Sequence, residues 1–151
     1  MKKNIIITGG LGYIGTELCK IYSGVSWNNN ITVIDNRFIS ERVNQIRNWN
    51  MEFVQGDILD KELINKYCKN ADVVHHLAGI TDVPRTKSES IDIKDNKIKT
   101  VAEEGTQNIL DATNSKCKII FPSTHVVYEG IERVENEISE EAKLKPILSY
   151  S

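Results

Sequence analysis

"TGGLGYIG", residues 8–15, holds four glycines in eight positions, directly behind the apolar run Ile5-Ile6-Ile7. Residues without a Cβ let a backbone turn sharply and lie close against a phosphate. A helix that starts there adds amides with no intrahelical partner and a partial positive charge. Gly10, Gly12 and Gly15 fit the spacing G-x-G-x-x-G, and Gly9, Gly12 and Gly15 fit the variant G-x-x-G-x-x-G. Either pattern alone is weak, and its context gives it weight. A strand-like run precedes it and a helical pattern follows it. Asp35 stands 20 residues past Gly15, at the end of a second apolar run. There a carboxylate can accept hydrogen bonds from ribose 2′- and 3′-hydroxyls. The rival reading is a glycine turn that holds another phosphate or none.

The same alternation continues along the chain. "IIIT" (5–8), "ITVID" (31–35), "MEFV" (51–54), "ADVVHHL" (71–77) and "CKIIFPS" (117–123) read as strands rich in Ile and Val. The segments between them suit helices. Tyr13 to Tyr22 carries Ile14, Leu18 and Ile21 at helical spacing, and Leu59 to Cys68 carries Leu59, Leu63 and Tyr67. The charged stretch from Thr81 to about Thr113 reads as a loop or short helix leading into one long helix with a solvated face. Strands alternating with helices predict βαβ units, and hence an α/β fold with a doubly wound parallel sheet of Rossmann type. About five strands in the order 3-2-1-4-5 are expected from that pattern. No repeat, linker or low-complexity tract divides the chain, so residues 1–151 read as one domain.

Composition excludes several classes. With 19 basic and 21 acidic residues the formal net charge is −2, whereas a nucleic-acid or membrane-surface role would want a basic excess. No apolar run reaches the length of a membrane span, and the stretch after Lys2-Lys3 is too short for a signal peptide. Cys19, Cys68 and Cys117 are odd in number and far apart, which suits small buried thiols in a reducing cytoplasm rather than a disulfide frame or zinc site. His75 and His76 are adjacent, so in a strand they point to opposite faces and make a poor joint metal site.

Taken together these residues resemble the extended short-chain dehydrogenases/reductases, in particular the NAD-dependent nucleotide-sugar epimerases and dehydratases. "TGGLGYIG" is similar to that family's glycine turn, which implies that amides near Tyr13 and Ile14 hold the cofactor pyrophosphate. "VIDN" resembles its ribose-binding acid, Asp35, with Asn36 beside it, and "GDI" its adenine-contacting pair, Asp57 and Ile58. "HLAG" resembles the fourth-strand segment lining the cofactor through Leu77, Ala78 and Gly79, and "EGTQNILDA" its long helix. "FPSTHVVYEG" matches the segment carrying a catalytic Ser/Thr, here Thr124, and Tyr150, 26 residues later, stands where the family keeps its catalytic tyrosine. The cofactor implied is NAD.

The resemblance also implies a lysine four residues past the tyrosine, at position 154, and a C-terminal domain that grips a nucleotide sugar. The chain given ends at Ser151. It therefore reads as a cofactor half that binds without turnover, its substrate domain absent and its nucleotide-sugar substrate reached only when further residues complete it. Val101 and Ala102 occupy positions where the family keeps an asparagine near the cofactor. His125-Val126 replace the Asp-Glu pair of the dehydratases, which argues against water elimination by that route; His125 is a candidate replacement acid or a structural strand-end histidine. The alternatives are an NADP-dependent ketone or deoxysugar reductase of the same superfamily, and a non-catalytic dinucleotide-binding sensor or partner subunit. A homo-oligomer paired through the helix around residues 101–113 is expected, as is a cytoplasmic location.

Overall fold

The computed structural model describes residues 2–81, 92–131 and 137–147. The strand-like runs form one parallel sheet: β1 (Asn4–Thr8), β2 (Asn30–Asp35), β3 (Glu52–Gln55), β4 (Val73–His76) and β5 (Lys118–Ile120). Their order is β3-β2-β1-β4-β5, the order expected from the sequence. Four helices connect them: α1 (Tyr13–Ser23), α2 (Ser40–Asn48), α3 (Lys61–Cys68) and α4 (Asp92–Ala112). In the central strand Ile7 lies opposite Val33 of β2 and His75 of β4.

Alternation along the strands feeds two cores. Ile5, Ile7, Ile31 and Val33 pack with Cys19 of α1 and with Val43 and Ile46 of α2. Ile6, Ile34 and Val74 pack with Ile64 and Cys68 of α3 and with Ile109 of α4. The sheet is thus covered on both faces, and each fully buried Ile or Val contributes about 1.5–3 kcal/mol.

Several local expectations shift. The inner face of α1 is Gly15, Leu18, Cys19 and Tyr22, whereas Ile14 and Ile21 are 62% and 75% exposed. The helix seats against the glycine turn where Gly15 has no side chain, and the Ile14/Ile21 edge faces outward. Helix α3 begins at Lys61, because the Asp60 carboxylate caps it by accepting the Leu63 N–H at 3.0 Å. Leu59 therefore lies outside the helix, and Ile64 and Cys68 take the core with Leu63 and Tyr67 flanking them. Strand β5 spans three residues, with Pro122, which cannot donate to a ladder, just beyond it. The charged stretch is helical from Asp92 onward. Residues 82–91 lie outside the described residues, as do Tyr150 and Ser151.

The end of α2 shows how a strand is launched. Asn50 has φ 58°, the left-handed region. Its N–H bonds to Arg47 O at 2.9 Å, and the Met51 N–H bonds to Ile46 O at 3.2 Å. This is the Schellman arrangement, completed by Met51 and Ile46 sharing one core. An alanine at 50 would meet the full left-handed penalty that asparagine tolerates. Denaturant titration is expected to find Asn50→Ala less stable by about 1 kcal/mol and Asn50→Gly at least as stable as the parent.

Candidate dinucleotide-binding site

The glycine turn sits at the carboxyl end of β1, where the strand order changes direction between β1 and β4. Open α/β sheets bind ligands in the crevice at such a point. Gly9 has φ +69°, and a Cβ on it would lie 2.6 Å from the Ala78 nitrogen beyond β4. Its N–H donates to Ile34 O at 2.8 Å, and the Gly12 N–H donates to Gly9 O at 3.0 Å. Gly12 is the N-cap of α1 and supplies no side-chain acceptor, and no acid stands in the first helical turn. Tyr13 and Ile14 are exposed at a helix start whose first amides have no intrahelical partner and carry partial positive charge.

Asp35 closes β2 with its side chain only 3% exposed. One oxygen accepts the Leu11 N–H at 2.9 Å; the other accepts the Arg37 N–H at 3.0 Å and Arg37 Nε at 3.3 Å. Arg37 lies over the acid and reaches to 4.0 Å from where a Cβ on Gly12 would stand. Arg42 of α2 donates to the Leu11 carbonyl and ties the turn from below. Asp35 and the glycine turn are thus joined directly, through Leu11.

Asn36, Asp57 and Ile58 come together beside them. Asn36 Nδ2 donates to Asp57 at 3.2 Å, and the other Asp57 oxygen accepts the Leu59 N–H at 3.0 Å. Ile58 is buried, and its carbonyl accepts from Asn108 of α4 at 3.1 Å. A Cβ on Gly105 would lie 2.3 Å from the Ile58 side chain, so α4 presses on this segment. The sequence reading assigned no role to Asn108 or Gly105; its available signal was a small and a polar residue three apart in "EGTQNILDA".

On the other side of the turn, Leu77 continues the β1–β4 ladder through its N–H to Thr8 O at 3.1 Å. The Ala78 N–H donates to Thr8 Oγ1 at 3.3 Å, and Gly79 follows in the open. Thr8 Oγ1 also pairs with His76 Nδ1 at 2.9 Å, and His76 Nε2 with Thr106 Oγ1 at 3.0 Å. His75 turns to the opposite face and meets the Tyr22 hydroxyl at 2.8 Å, as the strand alternation requires. Burial pushes the Cys19 and Cys68 thiols up to about 12, so neither is a ready thiolate, while Cys117 is only half-buried.

Thr124 is half-buried and caps a 3-10 turn, His125–Tyr128, by accepting the Val126 N–H at 3.3 Å. His125 opens that turn at the surface. Tyr150, the proposed partner of Thr124, lies outside the described residues. Among the described residues no group of His, Cys, Asp and Glu could hold a metal, and no helix is long and apolar enough to cross a membrane.

The sequence profile of the 3-beta hydroxysteroid dehydrogenase/isomerase family matches residues 6–147. The chain belongs to that family. Among its relatives is the UDP-N-acetyl-alpha-D-glucosaminuronate decarboxylase of Bacillus cytotoxicus, 35% identical over 130 residues, which cover 85% of this chain and 38% of the relative. The UDP-N-acetylglucosamine 4-epimerase of Methanobrevibacter ruminantium, solved with UDP-N-acetylmuramic acid, superposes with a TM-score of 0.77 at 28% identity, over 99% of this chain and 46% of that one. The UDP-glucose 4-epimerase of Stenotrophomonas maltophila, solved with NAD and formylated UDP-arabinopyranose, shares the fold with a TM-score of 0.75 at 23% identity, over 98% and 44%. This member of the family thus spans less than half the length of those proteins. The match bears out the resemblance to the extended short-chain enzymes read from the motifs.

The site of this family member also makes its stability depend on pH. Burial holds the His76 imidazole down to about 4 from an ordinary value of 6.5. A group that binds its proton more weakly when folded gives stability that is full above the unfolded value and lost as pH falls through the folded one. Between about pH 6.5 and 4 that loss is on the order of 3 kcal/mol for His76. His75, also held down by burial and by Lys118, adds with the same sign. Unfolding free energies measured across this window are expected to fall with acid, and His76→Gln is expected to flatten the slope.

Proposed function

We propose that this chain is the NAD-binding half of a nucleotide-sugar epimerase-like enzyme that transfers hydride at a sugar carbon. The observation that carries the reading is the glycine turn joined through Leu11 to the Asp35 carboxylate at the switch point of the sheet. The residues fit a dinucleotide: the missing side chains of Gly9 and Gly15 let the turn close against Ala78 and against the start of α1, and Gly12 leaves the helix start open to a pyrophosphate. Asp35 would accept from ribose hydroxyls, Asp57 and Ile58 would border the adenine, and Leu77, Ala78 and Gly79 would line the far half. NAD, when bound, would supply the hydride acceptor.

Thr124 and Tyr150 are the proposed acid–base pair. A phenol titrates near 10 and needs a nearby cation to act as a base at neutral pH. A threonine hydroxyl can share its hydrogen bond. Two contacts support the pairing: the Lys145 N–H reaches Val127 O at 2.8 Å, and the Ile147 N–H reaches Glu129 at 3.2 Å. They bring the segment leading toward Tyr150 alongside the turn that Thr124 caps.

Arg37 favours a second reading, an NADP-dependent reductase, because an arginine beside the ribose acid can meet a 2′-phosphate. Against it, the Asp35 carboxylate would repel that phosphate while rewarding the free hydroxyl. Charged hydrogen bonds contribute roughly 1.5–3 kcal/mol, so calorimetry is expected to find NADH bound about 10- to 100-fold more tightly than NADPH. Arg37→Ala should widen the gap and Asp35→Ala should close it. Equal or tighter NADPH binding would move the assignment to the reductase, and no binding of either dinucleotide would end both readings.

We propose further that the chain self-associates through α4, around residues 101–112, where Leu110 is 49% exposed. Light scattering at micromolar concentration is expected to report a dimer or larger, and Leu110→Glu a monomer. A monomer throughout would refute this.

A further inference from the structure

Buried Thr8 and His76 and half-buried Thr106 form a polar chain linking β1, β4 and α4. Thr8 and His76 are 0% and 1% exposed, and no buried side-chain nitrogen or oxygen among the described residues lacks a partner. We infer that His76 and Thr106 are positioning residues for the half of a dinucleotide that lies past the glycine turn, over the end of β4. The inference rests on the dinucleotide reading above and goes beyond it, since neither side chain belongs to the residues proposed to touch the cofactor.

The direction of the chain follows from its hydrogen bonds. A neutral imidazole has one donor and one acceptor nitrogen. Thr8 Oγ1 accepts the Ala78 N–H, and its buried O–H takes His76 Nδ1 as its acceptor; Nε2–H then donates to Thr106. That proton order is assigned from the network. Without the Thr106 oxygen, a buried N–H loses its acceptor. The ring can then shift its proton to Nδ1, which leaves the Thr8 hydroxyl as the donor without a partner. The disturbance thus arrives at Thr8 and so at Ala78.

Ala78 has no slack to absorb it. Its nitrogen stands 2.6 Å from where a Cβ on Gly9 would be, so the turn and the end of β4 touch backbone to backbone. Asp35 and Asp57 lie on the opposite side of β1, at the ends of β2 and β3. A dinucleotide bound across a switch point has its adenosine on the side of the ribose acid and its other half on the far side. Thr106 therefore acts on one half of the ligand, and a Thr106→Val change, which keeps the side chain's shape, leaves the Gly105 and Asn108 contacts to Ile58 on the other half in place.

The test compares NADH, titrated by calorimetry, with AMP, titrated by the movement of amide signals in NMR. Thr106→Val is expected to weaken NADH about three- to tenfold, the size of one lost buried hydrogen bond, with AMP unchanged. Thr106→Ser, which restores the oxygen, should recover the NADH affinity. Thr106→Ala serves where the valine variant does not fold. Equal weakening of NADH and AMP would reduce the chain to general stability and overturn the inference, as would unchanged NADH binding. A parent chain that binds no NADH would refute the dinucleotide reading itself, and this inference with it.

Discussion

Helix α1 rests on the turn that starts it. A Cβ on Gly15 would lie 2.4 Å from Gly9 O and 2.6 Å from Gly10 Cα, so the helix can approach only because that atom is missing. The turn in turn touches β2 through the Gly9 N–H, Asp35 through the Leu11 N–H, and the end of β4 through Gly9 itself. Overpacking a core by a methylene group costs about 1–3 kcal/mol when neighbours can adjust. Here the neighbours are backbone, which adjusts least. The turn thus holds α1, Asp35 and the end of β4 in fixed relation to one another.

The two histidines of β4 do a related job deeper down. His75 reaches the Tyr22 hydroxyl of α1 and His76 reaches Thr106 of α4, so consecutive residues tie one strand to helices on opposite faces. Apolar contacts alone let a helix slide by fractions of a residue, whereas a satisfied buried hydrogen bond fixes its register. Burial disfavours the charged form of both rings, and the neutral ring of His76 can serve as donor and acceptor at once.

The strand order and the switch point were legible because they depend on local signals: Ile- and Val-rich runs, a glycine turn and an acid at a set distance. The face of α1 was not, since a count of apolar residues gives Ile14 and Ile21 weight and Gly15 none, although Gly15 seats the helix. The start of α3 was missed by overlooking Asp60 as a cap. The hydrogen bonds of Asn108 to Ile58 and of Thr106 to His76 join residues 50 and 30 apart, and no spacing rule announces them. Thr124 is singled out by resemblance alone, and what the fold adds is its role as a cap.

The rims of the sheet have a consequence for how this protein behaves in a crowded solution. An edge strand invites pairing with another chain in proportion to the length of unpaired backbone it offers. Among the described residues the outer strands are β3, four residues long with Glu52 and Gln55 exposed, and β5, three residues long and led by exposed Lys118. Both are short and interrupted by charge or polarity, so neither templates fibril growth well. Ile120 and Phe121, 37% and 57% exposed beside the second rim, are sticky as side chains without a backbone row to extend.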